Sequence, residues 1–396
     1  MFVNKEFLSL DRNERIKRLK EIALVFLKLG TLSFGGPAAH IALMDEEIVK
    51  KRNWITREKF MDLLGATNLI PGPNSTELAI HLGFERGGLL GLLIAGTAFI
   101  VPAMAIVLVF AVLYANYGAL PEVSGVLYGI KPVIMAIILQ ALYRLGRSVI
   151  KSKLTAIMGV AVVALSFLGI EEIPILIAAG IFTMLVMNWE KIKTKLFSFS
   201  AFPIAMVTTQ ISEQSVKLAN MPLHTLFLTF LKIGSVLYGS GYVLLAFLEA
   251  ELVERFAVIT NQQLIDAVAV GQFTPGPVFT TATFIGYQIN GIPGAVLATI
   301  GIFLPAFVLV FLLNPVIPKL RKSKWVSGAL DGVNVASLGL MAVVSVKLGI
   351  TSLLDPFTVI LFVIAVFVLL KFKINSMWLI LSGGLVGFIY SFISNM

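Results

Sequence analysis

The chain has 396 residues, 58% of them hydrophobic and 13% charged, against roughly 25% charged in a soluble domain. With a mean hydropathy of +0.93, this composition excludes a soluble globular protein and indicates an all-α polytopic membrane protein. Cysteine is absent, which excludes disulfides, thiolate metal sites and cysteine nucleophiles; the net charge of +9 is read as topology-setting loop charge, with no nucleic-acid partner.

Residues 1–21 are basic and lack the apolar core of a cleavable signal peptide, so they are read as a cytoplasmic amphipathic N-terminus. An apolar stretch over 22–44 is interrupted at Phe34-Gly35-Gly36-Pro37, and a charged loop follows at 45–59. Residues 60–83 contain Pro71-Gly72-Pro73 in apolar surroundings. Each proline removes a backbone donor and clashes with the preceding turn, so the pair breaks the helix. In a bilayer such a break survives only when buried in protein or lining a watery cavity. Apolar spans follow near 88–115, 125–146, 154–170 and 173–189.

Residues 190–222 read as a linker with a weakly apolar centre at 196–211, and then the pattern restarts over 223–396. One displacement carries Lys28 onto Lys232, Asp45 and Glu47 onto Glu249 and Glu251, Asp62 onto Asp266, and Pro71-Gly72-Pro73 onto Pro275-Gly276-Pro277. One position is lost after the break; beyond it Pro102 falls on Pro305, Gly129 on Gly332, Arg144 on Lys347 and Gly180 on Gly383. Residues 22–189 and 223–396 are therefore read as two copies of one unit, as in many secondary transporters.

Basic residues fill the N-terminus and the loops at 144–153 and 191–195 in the first half, and the counterpart of 144–153 has only Lys347, while the 116–124 loop and Glu171-Glu172 lack the basic residues of their counterparts (Lys319, Arg321, Lys322, Lys324; Lys371, Lys373). By the positive-inside rule the halves are inverted, with a cytoplasmic N-terminus. Parity then requires one crossing in the linker, at 196–211. The basic 45–59 loop favours two re-entrant or broken hairpins per half, 22–44 with 60–83 and 223–254 with 262–289, over full spans.

The candidate site follows from the breaks. A helix N-terminus offers free N–H donors and partial positive charge, which suits an oxyanion. Pro71, Gly72, Pro73, Asn74, Ser75 and Thr76 form one such terminus; Pro275, Gly276, Pro277, Thr280 and Thr281 form the other, with hydroxyls as further donors. Asn74 and Glu77 have the spacing of a capping box, so Glu77 is either a structural cap or a proton-coupling group. Gly35, Gly36, Pro37 and Gly239, Ser240, Gly241 allow close backbone approach; the alternative is tight helix packing. Lys28 and Lys232 are intramembrane cations at one repeat position, read as facing the anion path or as snorkelling to the interface. Asp62, Asp266, Glu47 and Glu251 are further proton-coupling candidates. His40 and His81 are either pH-sensing or plain polar residues. The sequence offers no metal site, cofactor motif, nucleotide-binding loop or catalytic set.

The stretches Phe26–Pro37 (FLKLGTLSFGGP), Pro71-Gly72-Pro73-Asn74-Ser75, and Leu248-Glu249-Ala250-Glu251 through Pro275-Gly276-Pro277 resemble the signatures of the chromate ion transporter (CHR) family. The resemblance covers both halves and implies a long, fused member with antiparallel halves. It departs at Tyr238-Gly239-Ser240-Gly241-Tyr242, where family members often carry a glycine run followed by a polar residue. It implies a cytoplasmic-membrane protein that exports chromate, driven by the proton-motive force, and confers chromate resistance, with sulfate as a mimic. The alternatives are a sulfate or other oxyanion uptake permease and, from another class, a membrane-embedded enzyme acting on lipid-linked substrates. The expected partners are the oxyanion and the lipid bilayer, and the sequence is compatible with a homodimer.

Overall fold

The computed structural model describes residues 5–189, 221–238, 241–372 and 374–394. The linker crossing expected at 196–211, together with Gly239 and Ser240, lies outside the described residues. Among the described residues the regular structure is helical throughout. The first half contains α1 (Lys5–Ser9), α2 (Arg12–Leu32), α3 (Gly36–Met44), a π-helix (Asp45–Lys51), α4 (Arg57–Thr67), α5 (Asn74–Tyr117), α6 (Pro121–Val149), α7 (Lys153–Phe167) and α8 (Glu172–Met187). The second half contains α9 (Leu223–Val236), α10 (Leu244–Leu248), a second π-helix (Glu249–Arg255), α11 (Asn261–Phe273), a 3-10 turn (Val278–Thr280), α12 (Thr281–Leu313), α13 (Ile317–Arg321), α14 (Lys324–Ser352), α15 (Pro356–Phe372) and α16 (Ser376–Ser394). Among the described residues, five helical stretches are long and apolar enough to cross a membrane: Asn74–Tyr117, Pro121–Val149, Val278–Leu313, Lys324–Ser352 and Ser376–Ile393.

The start of the charged 45–59 stretch is a correction to the sequence reading. Asp45–Lys51 continues α3 as a π-helix, and Glu249–Arg255 does the same after α10. Ion pairs at helical spacing, Glu46–Lys50 and Glu47–Lys51, hold the first of them. Single π turns are uncommon and cluster at functional sites.

α5 and α12 each turn back on themselves. Gly87 (φ −137°, ψ 17°) and Gly88 (φ 59°, ψ −148°) interrupt α5. Asn290 (φ −139°, ψ 26°) and Gly291 (φ 61°, ψ −151°) interrupt α12 with nearly the same angles. A left-handed residue ends a helix cheaply only when it is glycine. The flanking segments pack backbone to backbone, Gly83 against Gly91 and Gly286 against Gly294.

The two halves interlock. α6 packs on α15 and α16, while α14 packs on α7 and α8, so the last two helices of each half clasp the long helix of the other. Glycines permit these contacts: a Cβ on Gly129 would strike the carbonyl of Gly383, and one on Gly332 that of Ala179. Small residues at helix contacts are the usual means of association where lipid removes the hydrophobic drive. Tyr128 donates to Asp355, beside a stack of Tyr128, Phe357 and Tyr390. Away from that region Asn188 Nδ2 donates to Lys324 O (3.4 Å) and Lys151 pairs with Asp331 (3.2 Å).

Candidate functional site

Four chain breaks come together between the halves. α2 stops at Leu32 and the chain re-enters a helix at Gly36; α4 stops at Thr67 and α5 begins after Pro73. α9 ends at Val236, and α11 ends at Phe273 before Pro275-Gly276-Pro277. Two cross-half hydrogen bonds join them in corresponding fashion: Gly72 N–H donates to Leu237 O (2.8 Å), and Gly276 N–H donates to Ser33 O (3.1 Å). Gly72 and Gly276 sit at φ 135° and 86°, in the left-handed region that favours glycine. A Cβ on Gly276 would lie 2.7 Å from Ala103 Cβ, so the loop reaches α5 only because it carries none. Each Pro-Gly-Pro thus supplies a glycine N–H that repairs the broken backbone of the opposite half.

The first-half terminus is the more polar. His40 is fully buried, with Nε2 3.1 Å from Ser33 O and Nδ1 3.1 Å from Ser75 Oγ. A carbonyl only accepts, so Nε2 carries the proton, and Nδ1 of the neutral ring accepts from the Ser75 hydroxyl. Ser33 O therefore serves both His40 and Gly276. The capping box expected from Asn74 and Glu77 does not form. Pro73 is the N-cap residue, the helix begins at Asn74, and the Asn74 amide turns back to Asn68 Oδ1 (3.1 Å). Glu77 is left 0% exposed, with neither carboxyl oxygen hydrogen-bonded among the described residues. One turn on, both ring nitrogens of buried His81 are also without a hydrogen-bond partner among the described residues. Of the four hydroxyls, Ser75 engages His40, Thr280 and Thr281 donate to Pro277 O and Val278 O (2.8 Å each), and Thr76 alone has no partner. Where the first half has His40 the second has Leu244, and where it has Glu77 the second has Thr281.

The two lysines occupy matching ion pairs. Lys28 Nζ lies 2.9 Å from Glu47 Oε1, and Lys232 Nζ lies 2.5 Å from Glu251 Oε1. Lys28 is half-exposed, and Lys232 is exposed by about a third. Glu47 also binds Lys51 and Arg52, and Glu251 binds Arg255. Hydrogen bonds from Lys28, then Arg52 and Lys51, outweigh burial and hold the Glu47 carboxyl down to about 2, so it stays ionised near neutrality. Asp62 is exposed, whereas its counterpart Asp266 is buried. Asp266 accepts from Tyr114 Oη (2.9 Å) and faces Lys131 Nζ at 3.5 Å. The sequence reading passed over Lys131 and Tyr114. The available signal was a lone lysine in an apolar 29-residue helix, between Gly129 and Pro132.

Beside the second break, Gly241, Tyr242, Gln272, Val278 and Thr281 line a cavity of ≈ 10 Å³, about the size of one water. A larger recess of ≈ 260 Å³ opens where Glu171 and Glu172 of the first half meet Lys232, Glu251 and Lys347 of the second.

A family model described as Chromate transporter matches residues 20–185 and again 224–388. The chain belongs to the chromate transporter family. A chromate transport protein of Cupriavidus metallidurans is 32% identical over 377 residues, covering 94% of this chain and 93% of that protein. A "probable chromate transport protein" of Synechococcus elongatus is 32% identical over 343 residues, covering 85% and 86%. A chromate transport protein of Pseudomonas aeruginosa is 28% identical over 379 residues, covering 92% and 90%. No solved structure matches the chain. The two matched regions of the family model fall on the two halves that supply the paired breaks.

Proposed function

We propose that this member of the chromate transporter family is a secondary transporter that exports chromate across the cytoplasmic membrane and so confers chromate resistance. The observation that carries the reading is the reciprocal pair of hydrogen bonds, Gly72 to Leu237 and Gly276 to Ser33, which brings the N-termini of α5 and α12 to one junction between the halves. Two positive helix ends with backbone donors suit a doubly charged tetrahedral oxyanion, and sulfate competes for the same site. Residues Gly35 to Pro37, Pro71 to Thr76, Gly239 to Gly241, Pro275 to Pro277, Thr280 and Thr281 form the binding region, with Lys28 and Lys232 flanking it.

Residues 22–189 and 223–396 act as two inverted repeats joined by a linker that crosses once, with the N-terminus cytoplasmic. Inversion is supported by contacts between loops of like predicted side. Asn188 and Lys324, both assigned inside by charge, touch each other; Glu171, Glu172 and Lys347, assigned outside, share one recess. Rocking of the halves exposes the junction alternately to the two sides. Opening breaks the two glycine hydrogen bonds and parts the packed α5 and α12.

The proton-motive force acts in two ways. Moving two negative charges outward gains about 4.6 kcal/mol per 100 mV of inside-negative potential, at about 2.3 kcal/mol per charge. Glu77, buried beside the junction with both oxygens free among the described residues, is the carboxyl that takes up and releases a proton; Glu47 stays ionised against its basic partners. The test is uptake of labelled chromate into inverted membrane vesicles, with and without a proton gradient and with excess sulfate. Gradient-dependent, sulfate-sensitive accumulation supports export. Accumulation only in right-side-out vesicles would replace it with uptake.

A further inference from the structure

Among the described residues, Lys131 is the one lysine or arginine that is buried, at 8% exposure. It projects from α6 of the first half toward Asp266 on α11 of the second, itself 2% exposed. Tyr114, near the end of α5, completes the group by donating to Asp266 Oδ2 (2.9 Å). The pair is loose. At 3.5 Å the ammonium is beyond ordinary hydrogen-bond reach, and Asp266 Oδ1 has no hydrogen-bond partner among the described residues. Other charges near α11 are committed elsewhere: Lys347 to Glu254, with Glu249 3.5 Å away, and Glu251 to Lys232 and Arg255. α12 and α16 bring only the tyrosines Tyr287 and Tyr390.

A buried cation that loses its partner is strongly destabilised, so Lys131 needs a replacement anion whenever α11 moves away. α11 is the helix that runs into the second Pro-Gly-Pro, ending at Phe273. Any opening that parts Gly276 from Ser33 therefore pulls on Asp266 as well. The arrangement is also singular: the repeat counterpart of Lys131 is Asn334, and the counterpart of Asp266 is the exposed Asp62.

We propose that Lys131 and Tyr114 form a binding station for the transported oxyanion, with the Asp266 carboxylate occupying it as an internal substitute while the carrier is closed. Asp266 lies on α11, which ends at Phe273 ahead of the second Pro-Gly-Pro. An arriving dianion displaces Asp266 from Lys131, which unlocks α6 from α11. Because the other half lacks the set, one chain has one station. This rests on the reading of the protein as an oxyanion carrier.

The test is equilibrium binding of chromate, and separately of sulfate, to purified protein in detergent, alongside transport by the same variants in vesicles. Lys131→Gln is expected to weaken binding at least tenfold, and Lys131→Arg to restore most of it. Asp266→Asn removes the competitor, so it is expected to tighten binding several-fold while slowing turnover. A structural ion pair would behave otherwise: both variants would lose stability and neither would gain affinity. Binding by Lys131→Gln within twofold of wild type, or equal losses in Lys131→Gln and Asp266→Asn, would overturn the station. If Lys131→Gln does not fold, the opposite shifts in affinity and turnover of Asp266→Asn decide the matter. Wild-type protein that binds neither anion would instead overturn the transport reading itself.

Discussion

Replacing Glu77 separates the stability of this fold from its function. The carboxyl is 0% exposed and neither oxygen has a hydrogen-bond partner. A buried polar group left unsatisfied costs about 1–3 kcal/mol, and exchange of buried polar groups for apolar ones of similar volume is often stabilising. Glu77→Leu should therefore raise the stability of the folded protein by about 1–3 kcal/mol. At roughly 1–2 °C per kcal/mol for a chain of this length, the apparent unfolding temperature should rise by about 1–6 °C. Glu77→Gln keeps the polar atoms and should leave it nearly unchanged. Both variants should lose the dependence of chromate transport on a proton gradient while keeping its dependence on membrane potential. Intrinsic tryptophan fluorescence during heating in detergent gives the first readout, and vesicle flux with the pH gradient collapsed gives the second. A fall in the unfolding temperature of Glu77→Leu would show that the carboxyl makes a stabilising contact. A Glu77→Gln carrier that still responds to the pH gradient would remove Glu77 from the coupling.

The other predictions are more local. Lys28→Ala and Lys232→Ala should abolish transport with the fold intact, because Glu47 keeps Arg52 and Lys51 while Glu251 keeps Arg255; wild-type flux in the double variant would end their assigned role. Gly276→Ala places a Cβ 2.7 Å from Ala103 Cβ at φ 86°, which should cost about 1–3 kcal/mol by overpacking and stop transport; an unchanged unfolding temperature and flux would contradict the junction. Burial, aided by the charge of Glu254, pushes the Glu249 carboxyl up to about 7 from 4.5. The folded state then holds a proton that the unfolded state has released, so this contribution to stability is full below 4.5 and is lost as pH rises through about 7. Glu47, held down to about 2, acts in the opposite sense, its contribution vanishing as pH falls from 4.5 toward 2. Between pH 8 and 5, acidification should therefore raise the unfolding temperature of wild type relative to that of Glu249→Gln, and an unchanged difference between the two across that range would contradict the assignment.

Much of the architecture could be read from residue types alone. Pro71-Gly72-Pro73 and Pro275-Gly276-Pro277 fix where helices must stop, because proline chemistry is local. The displacement that carries Lys28 and Glu47 onto Lys232 and Glu251 put these residues at matching positions, but did not show that each lysine pairs with its carboxylate. What the sequence did not disclose depends on contacts across the halves. A break announces that its backbone needs partners, but not that Gly72 finds Leu237 while Gly276 finds Ser33. The capping box failed for a local reason: Pro73 holds an extended conformation (φ −82°, ψ 103°), so the helix begins at Asn74, and its side chain is one position too late to cap. The π-helices escaped notice because their ion pairs have the spacing of an ordinary helix. Lys131 carries no repeat signal, because its counterpart is Asn334.

The central claim, net outward movement of a dianion through the junction of the two halves, is tested most directly with purified protein in liposomes under a potassium-diffusion potential. The account predicts that labelled chromate moves toward the positive side, that reversing the potential reverses the flux, and that Gly276→Ala removes it. Chromate flux indifferent to the potential, or undiminished in Gly276→Ala, would contradict it.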